Sequence, residues 1–229
     1  MNIQILQLTE GAKKARGIAV IIDVFRALSV EAYMFSMGAE KIIPIGDADI
    51  AYKLKAENPE YILAGERHGK ILPGFDVGNS PTDVSKMQIK GKTAVHTTSA
   101  GTQGIANAKN AEVILGAGLV NARATAEYIR KSGIGDVSLV CMGLEALAPT
   151  EEDTLCAQYI RSILLGEEFD IAPKIEELKL TSGAKFFDKA QNDVFPETDF
   201  FLCTQTDKFD FAMKLTRVDS GIDFMQMCR

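Results

Sequence analysis

Asp23 and Arg26 follow a run of branched apolar residues, Glu66 and Arg67 follow a second, the turn Thr97 to Thr102 a third, and Glu145 a fourth. Carboxylates, guanidinium groups and a hydroxyl-rich turn repeated in this way are the parts of a site for a small anion. The turn Thr97-Thr98-Ser99-Ala100-Gly101-Thr102 precedes a helical segment, where free backbone N–H groups and the positive end of the helix dipole favour phosphate. Arg26 and Arg67 can make bidentate contacts to phosphate or sulfonate oxygens. Asp23, Glu66, Asp76 and Glu145 can hold a hard cation such as Mg²⁺, which takes oxygen ligands and is commonly shared with phosphate. Each group also has an ordinary use. The turn is neither a Walker loop nor a dinucleotide fingerprint and would serve as a plain helix cap. Asp23 could cap the next helix, and Glu151, Glu152 and Asp153 occupy a first helical turn that favours acids. His68 and His96 are too few and too far apart for a metal cage, and His68 is the better functional candidate.

Gly65 to Pro81, GERHGKILPGFDVGNSP, is a stretch that cannot be helix or regular strand, with six glycines or prolines among Glu66, Arg67, His68, Asp76, Asn79 and Ser80. Such long connections are uncommon unless functional or disordered, and Ile71, Leu72, Phe75 and Val77 argue against disorder. It is expected to be a site loop on a rigid scaffold.

The scaffold must be strands alternating with helices. Gly17–Ile22 has the continuous β-branched character of a strand buried on both faces. Lys41–Ile45, Tyr61–Ala64, Thr93–His96, Glu112–Leu115, Val137–Cys141 and Phe200–Cys203 are the other strand candidates. Helices are expected over Ala27–Met37, Ala48–Glu57, Gln103–Lys109, Ala122–Lys131 (capped by Asn121) and Thr150–Leu165 (with Thr150 and Asp153 as a capping box). Lys174–Leu180, set off by Pro173, and Ala184–Ala190 complete the helical set. This rhythm predicts an α/β fold, a mostly parallel or mixed sheet between two helical layers, with ligands beyond the carboxyl ends of the strands. One domain over residues 1–229 is the expectation, with room for a C-terminal subdomain from about residue 167.

The 229 residues are 46% hydrophobic with a net charge of −6. Acidic balance argues against nucleic acid or an anionic membrane as partner. No run of about eighteen apolar residues and no basic start with an apolar segment is present, so the cytoplasm is the expected compartment. Cys141, Cys156, Cys203 and Cys228 form no CxxC pair, and the first three are expected in the core.

Five motifs then match a family in order: Asp23-Val24-Phe25-Arg26-Ala27, Ala64-Gly65-Glu66-Arg67, Gly74-Phe75-Asp76-Val77-Gly78-Asn79-Ser80-Pro81, the Thr97 to Thr102 turn, and Glu152-Asp153-Thr154-Leu155-Cys156-Ala157. From about Ile18 to Asp207 the chain resembles the 2-phosphosulfolactate phosphatases of the coenzyme M pathway. The resemblance implies a Mg²⁺-dependent, oligomeric, dimer-type phosphatase that releases phosphate from 2-phospho-3-sulfolactate. It implies catalytic roles among Asp23, Arg26, Glu66, Arg67, Glu145 and Glu152, and metal ligands among Asp23, Glu66, Asp76 and Asp153. Substrate contacts would come from Asn79, Ser80, Thr97, Thr98, Ser99, Gly101 and Thr102. The chain departs from the family pattern at Leu28, Ala100 and Ser182-Gly183-Ala184, which bears on the exact substrate. A phosphatase of another phospho-carboxylic acid, or a non-catalytic binder of such anions, fits the same residues.

Overall fold

A computed structural model describes residues 1–219 and 221–229. In chain order the elements are β1 (Asn2–Gln7), α1 (Leu8–Lys14), β2 (Ile18–Ile22), α2 (Ala27–Ser36), β3 (Lys41–Pro44), α3 (Ala48–Glu57), β4 (Ile62–Arg67), β5 (Lys70–Ile71), α4 (Pro81–Val84) and β6 (Thr93–Thr97). There follow α5 (Gly101–Asn107), β7 (Val113–Ala117), α6 (Ala122–Ser132), β8 (Asp136–Cys141), α7 (Glu151–Leu165), α8 (Ala172–Leu178), α9 (Glu197–Cys203), β9 (Ala212–Thr216) and β10 (Phe224–Cys228). Among the described residues ten strands form one mixed sheet in the order β1-β8-β2-β7-β9-β10-β3-β6-β4-β5.

The three layers are written into β2. Its five residues are all fully buried, and successive side chains point to opposite faces. Ala19 and Ile21 join a cluster with Ala12 of α1, Leu28 and Met34 of α2, and Ile105 of α5. Ile18, Val20 and Ile22 join Ala122, Ala126 and Ile129 of α6 and Cys156, Ala157 and Ile160 of α7. A strand with no wet face tolerates no alternation, which is why it reads as an unbroken apolar run. Each fully buried isoleucine contributes about 1.5–3 kcal/mol. A charge at Ile21 would open the sheet. Cys141, Cys156 and Cys203 are core residues, as expected.

Two parallel groups make up the sheet. One is β1, β8, β2 and β7; the other is β3, β6 and β4. The antiparallel hairpin β9–β10 lies between them, pairing with β7 on one side and with β3 on the other.

Several expectations need correction. Phe200–Cys203 is not a strand but the end of α9, because Pro196, Glu197 and Asp199 start a helix on which Phe200 and Cys203 share the buried face and Phe201 is exposed. The strand beginning near Tyr61 does not stop at Ala64: Gly65 pairs with Thr97, and Glu66 and Arg67 pair with β5, so part of the expected loop is a short hairpin. Ala184–Ala190 is two 3-10 turns, Ala184–Phe187 and Lys189–Gln191, interrupted where the Asp188 side chain accepts from the Ala190 amide. Pro173 sits inside the first turn of α8, where its missing N–H is harmless, and α8 ends at Leu178. Asn121 accepts from the Gly118 amide rather than capping α6. Thr150 and Asp153 form no capping box, since both Asp153 oxygens are engaged elsewhere. β1, β9 and β10 gave no strand signal.

Candidate active site

Four strands separate β2 from β6 in the sheet, which would put their ends roughly 24 Å apart if the sheet were flat. Instead the end of β6 folds back over the end of β2 through α5. Two glycines permit the approach. A Cβ on Gly104 would lie 2.6 Å from Ile21 Cγ2 and 2.5 Å from Met142 Sδ, and one on Gly101 would lie 2.9 Å from the Asp23 Oδ2 atom. The carboxyl ends of β2, β4, β6 and β8 therefore meet in one cleft of about 110 Å³, lined by Asp23, Arg26, Glu66, His68, Asn79, Ser99, Ala100, Gly143, Glu145, Glu152, Lys185 and Phe195. That volume suits a small substrate, well below the roughly 300–1,000 Å³ of drug-sized pockets. A hollow of about 390 Å³ between α7 and α8 is larger but lies apart from these strand ends.

The floor of the cleft is acidic. Asp23 is buried and accepts from the Ala27 amide at 3.0 Å. Burial pushes its carboxyl up to about 6, helped by the charges of Glu66 and Glu152 and opposed by the Ala27 and Gly101 amides. Glu152, in the first turn of α7, is also raised by burial, with Lys185 opposing. Its Oε2 atom is buried without a hydrogen-bond partner among the described residues. Glu66, on β4, accepts from the Ser99 amide at 2.8 Å and from the Gly69 amide at 2.7 Å. Beneath them Asp153 accepts from the Val24 and Gly143 amides, each at 2.8 Å, and burial holds its carboxyl well above the usual range. It ties the ends of β2 and β8 together.

The roof is cationic and aromatic. Arg26 Nη1 donates to Asp199 Oδ2 at 2.7 Å and to the Val194 carbonyl at 2.8 Å. Asp199 is fully buried and also accepts from Ser80 Oγ and the Thr82 amide, both at 2.9 Å. The Arg26 guanidinium lies 4.9 Å from the Phe195 ring centre, and Lys185 Nζ lies 5.2 Å from the same ring. Burial lowers the Lys185 ammonium, an effect that Glu152, Asp23 and Asp153 counter. At the mouth His68 Nδ1 and Glu145 Oε1 are 2.8 Å apart. Both residues have left-handed backbones, with φ of 53° and 54°. Such conformations are uncommon outside glycine and cluster at functional sites.

Of the site residues expected from sequence, Asp23, Arg26, Glu66, Asn79, Ser99, Glu145 and Glu152 come together in the cleft. Others are near but engaged. Arg67 donates to the Gly46 carbonyl and to Thr97 Oγ1, joining β4 to the ends of β3 and β6. Thr98 and Thr102 hydrogen-bond each other, Gly101 is packed against Asp23, and Ser80 is held by Asp199. Asp76 lies outside the cleft, accepting from the Leu63 amide and Lys55. The turn's amides do not form an open cradle, because the Glu66 carboxylate takes that of Ser99 and the Thr102 hydroxyl takes that of Thr98. Sequence reasoning missed Lys185, Phe195 and Asp199. Only one signal pointed at them: a dense set of aromatic residues, Phe186, Phe187, Phe195, Phe200 and Phe201, in a segment too short of periodicity for a core layer.

Among the described residues no three His, Cys, Asp or Glu side chains are close enough to form a metal cage. Mg²⁺, however, is commonly bound by only one or two carboxylates with waters and substrate phosphate completing the shell. Asp23 and Glu152 fit that description. Both are hard oxygen donors, their charges repel one another, and among the described residues Glu152 Oε2 has no partner.

A family model described as 2-phosphosulpholactate phosphatase matches residues 3–217. A Bacillus subtilis protein named "Probable 2-phosphosulfolactate phosphatase" is 32% identical over 217 residues, 94% of each chain. One of the same name from Caldicellulosiruptor saccharolyticus is 38% identical over 179 residues, 76% of this chain and 72% of its own.

Proposed function

The chain belongs to the 2-phosphosulfolactate phosphatase family and is a phosphoric monoester hydrolase; from that premise we propose that it hydrolyses 2-phospho-3-sulfolactate to 3-sulfolactate and phosphate with Mg²⁺, in coenzyme M biosynthesis. The observation that carries this reading is the acidic floor facing a cationic roof across a cleft of small-anion size. A substrate with phosphate, sulfonate and carboxylate groups needs several positive donors, and a displacement at phosphorus needs oxygen ligands for a divalent cation.

Asp23 and Glu152 would hold the Mg²⁺. When bound, the ion polarises phosphoryl oxygens and acidifies water. Arg26 and Lys185 meet the phosphoryl oxygens and stabilise charge that builds on the departing oxygen. Asp199 and Phe195 keep the guanidinium in place. Asn79 donates to an acidic group of the substrate. Glu145 takes the proton of the attacking water, with His68 orienting its carboxylate. Glu66, fixed by two amides, shapes the turn that carries Ser99 and Ala100. Asp153, Arg67, Ser80, Thr97, Thr98 and Thr102 set the backbone around these groups.

We place the enzyme in the cytoplasm as a homodimer. Among the described residues no helix is long and apolar enough to cross a membrane, and the dimer follows from the family resemblance. Sedimentation at two concentrations tests the dimer. The activity is tested by phosphate release from 2-phospho-3-sulfolactate beside a panel of phospho-carboxylic acids, with Mg²⁺ and with EDTA. Selective, Mg²⁺-dependent release is expected; preference for another monoester would move the substrate assignment, and release in EDTA would remove the metal.

A further inference from the structure

Glu31 on α2 and His96 on β6 are both completely buried, and neither belongs to the cleft described above. His96 Nδ1 is 2.9 Å from Glu31 Oε1, and His96 Nε2 is 3.3 Å from Asn79 Oδ1. Among the described residues Glu31 Oε2 has no hydrogen-bond partner. A carboxylate this buried with a single partner is costly unless its charge is matched. A proton between Oε1 and Nδ1 makes the pair neutral, whichever atom carries it. The other ring nitrogen faces Asn79 Oδ1, and this contact is a hydrogen bond when Nε2 carries the hydrogen: Nε2–H then donates and Asn79 Oδ1 accepts. The opposite arrangement, with Nδ1–H alone, would leave a buried net charge and set two lone pairs against each other.

Asn79 lines the cleft, and its Nδ2 has no acceptor within the described residues. With Oδ1 turned inward to His96, the NH₂ group is turned outward. We propose that Glu31 and His96 are positioning residues that lock the Asn79 amide with its NH₂ toward the cleft, making it a fixed donor for an anionic oxygen of the substrate. A free asparagine can present either end, and only the donor end suits a carboxylate, sulfonate or phosphoryl oxygen. The lock thus favours acidic substrates over neutral ones of the same shape, because a buried site rejects partners that leave its polar groups unmatched. This rests on the phosphatase reading for its substrate, but not for its geometry.

Two experiments test it. The chain has two histidines, so ¹⁵N-histidine NMR of the full protein, compared with H68Q, assigns His96 directly. A protonated Nε2 is expected; a bare Nε2 overturns the proposal whether or not the enzyme acts on phosphosulfolactate. In kinetics, His96→Leu should raise KM about tenfold with kcat within threefold, an effect of ~1.4 kcal/mol. His96→Gln keeps a nitrogen donor at the Nε2 position and should hold KM within threefold of the parent. Asn79→Ala should raise KM by a similar factor, and adding His96→Leu to it should change nothing further. Additive effects, an equal fall in kcat, or a tenfold KM rise in the His96→Gln variant would each overturn it. The last criterion holds even if His96→Leu fails to fold. A parent enzyme that releases no phosphate sinks the substrate reading and leaves the NMR result to decide this one.

Discussion

The floor and the roof of the cleft are built by opposite means. Floor acids sit at the ends of buried strands or in a first helical turn and are oriented by backbone amides: Asp23 by Ala27, Glu66 by Ser99 and Gly69, Asp153 by Val24 and Gly143. Roof cations are held by a segment of short helices and 3-10 turns whose rigidity comes from side chains, namely the Arg26–Asp199 pair and the packed rings of Phe186, Phe195 and Phe200. Amides fix a carboxylate cheaply, because the sheet has already ordered them. Fixing a cation needs a dedicated anion and an aromatic wall. The floor therefore concentrates like charge at some cost to stability, whereas the roof's function and its stability rest on the same contacts.

That contrast makes its sharpest claim at Asp23 and Asp199. Asp23→Asn should lower kcat by about 10³-fold or more, measured as phosphate release. Asp199→Asn should lower kcat/KM about 10²-fold, since a displaced Arg26 loses its grip on transition-state charge. It should also lower Tm by about 10 °C, because Arg26 is left buried without its partner, at ~3–5 kcal/mol. If Asp199→Asn keeps its Tm, the roof is not held as described. Lys185→Met should reduce kcat/KM roughly tenfold and should matter less with substrates lacking one acidic group.

Stability supplies the next discrimination. The folded-state value for Asp23, about 6, lies above its ordinary 3.8, so the native state binds more protons than the unfolded chain between those values. Stability contributed by this group is therefore fullest below pH 3.8 and is lost as pH rises through 6. Asp23→Asn should be more stable than the parent at pH 7, by on the order of 3 kcal/mol, and the gain should vanish near pH 4 in thermal melts. A destabilised Asp23→Asn at neutral pH would erase the contrast between floor and roof. The smallest effect is expected at the mouth. His68 is 80% exposed, so His68→Gln should change kcat/KM by less than about threefold, as exposed ion pairs contribute little.

Sequence made the floor readable for a physical reason. Strands buried on both faces are uninterrupted apolar runs, and the first charged residue after each, such as Asp23 after Ile22, marks the strand end where ligands collect. Glu66 was located correctly in space though its local structure was misread, because the glycine before it hid the pairing of Gly65 with Thr97. The roof was not readable. Phe200–Cys203 carries only four apolar residues, which fit a strand or a helix face equally, and the choice was made by Pro196 and by contacts with the 3-10 turn Ala184–Phe187. Lys185 has no motif around it; its importance comes from burial beside Glu152, which no local pattern encodes. Glu31 was equally invisible, since α2 is buried almost all round and offers no polar face on which it would stand out, and His96 could be weighed only as a metal ligand because nothing local pairs it with Glu31.

The hairpin β9–β10 has a consequence for the order in which the protein can be made. Of the ten strands described, β9 and β10 are the last to leave the ribosome, yet they are the seam between the two parallel groups, and the cleft draws Asp23 and Gly143 from one group and Glu66 and Ser99 from the other. During translation each group can gather its own strands, but the seam between them stays open until this hairpin arrives. The nascent chain therefore carries all of the acids and cations described above, and the sheet edges of β7 and β3 exposed, before it has an enzyme.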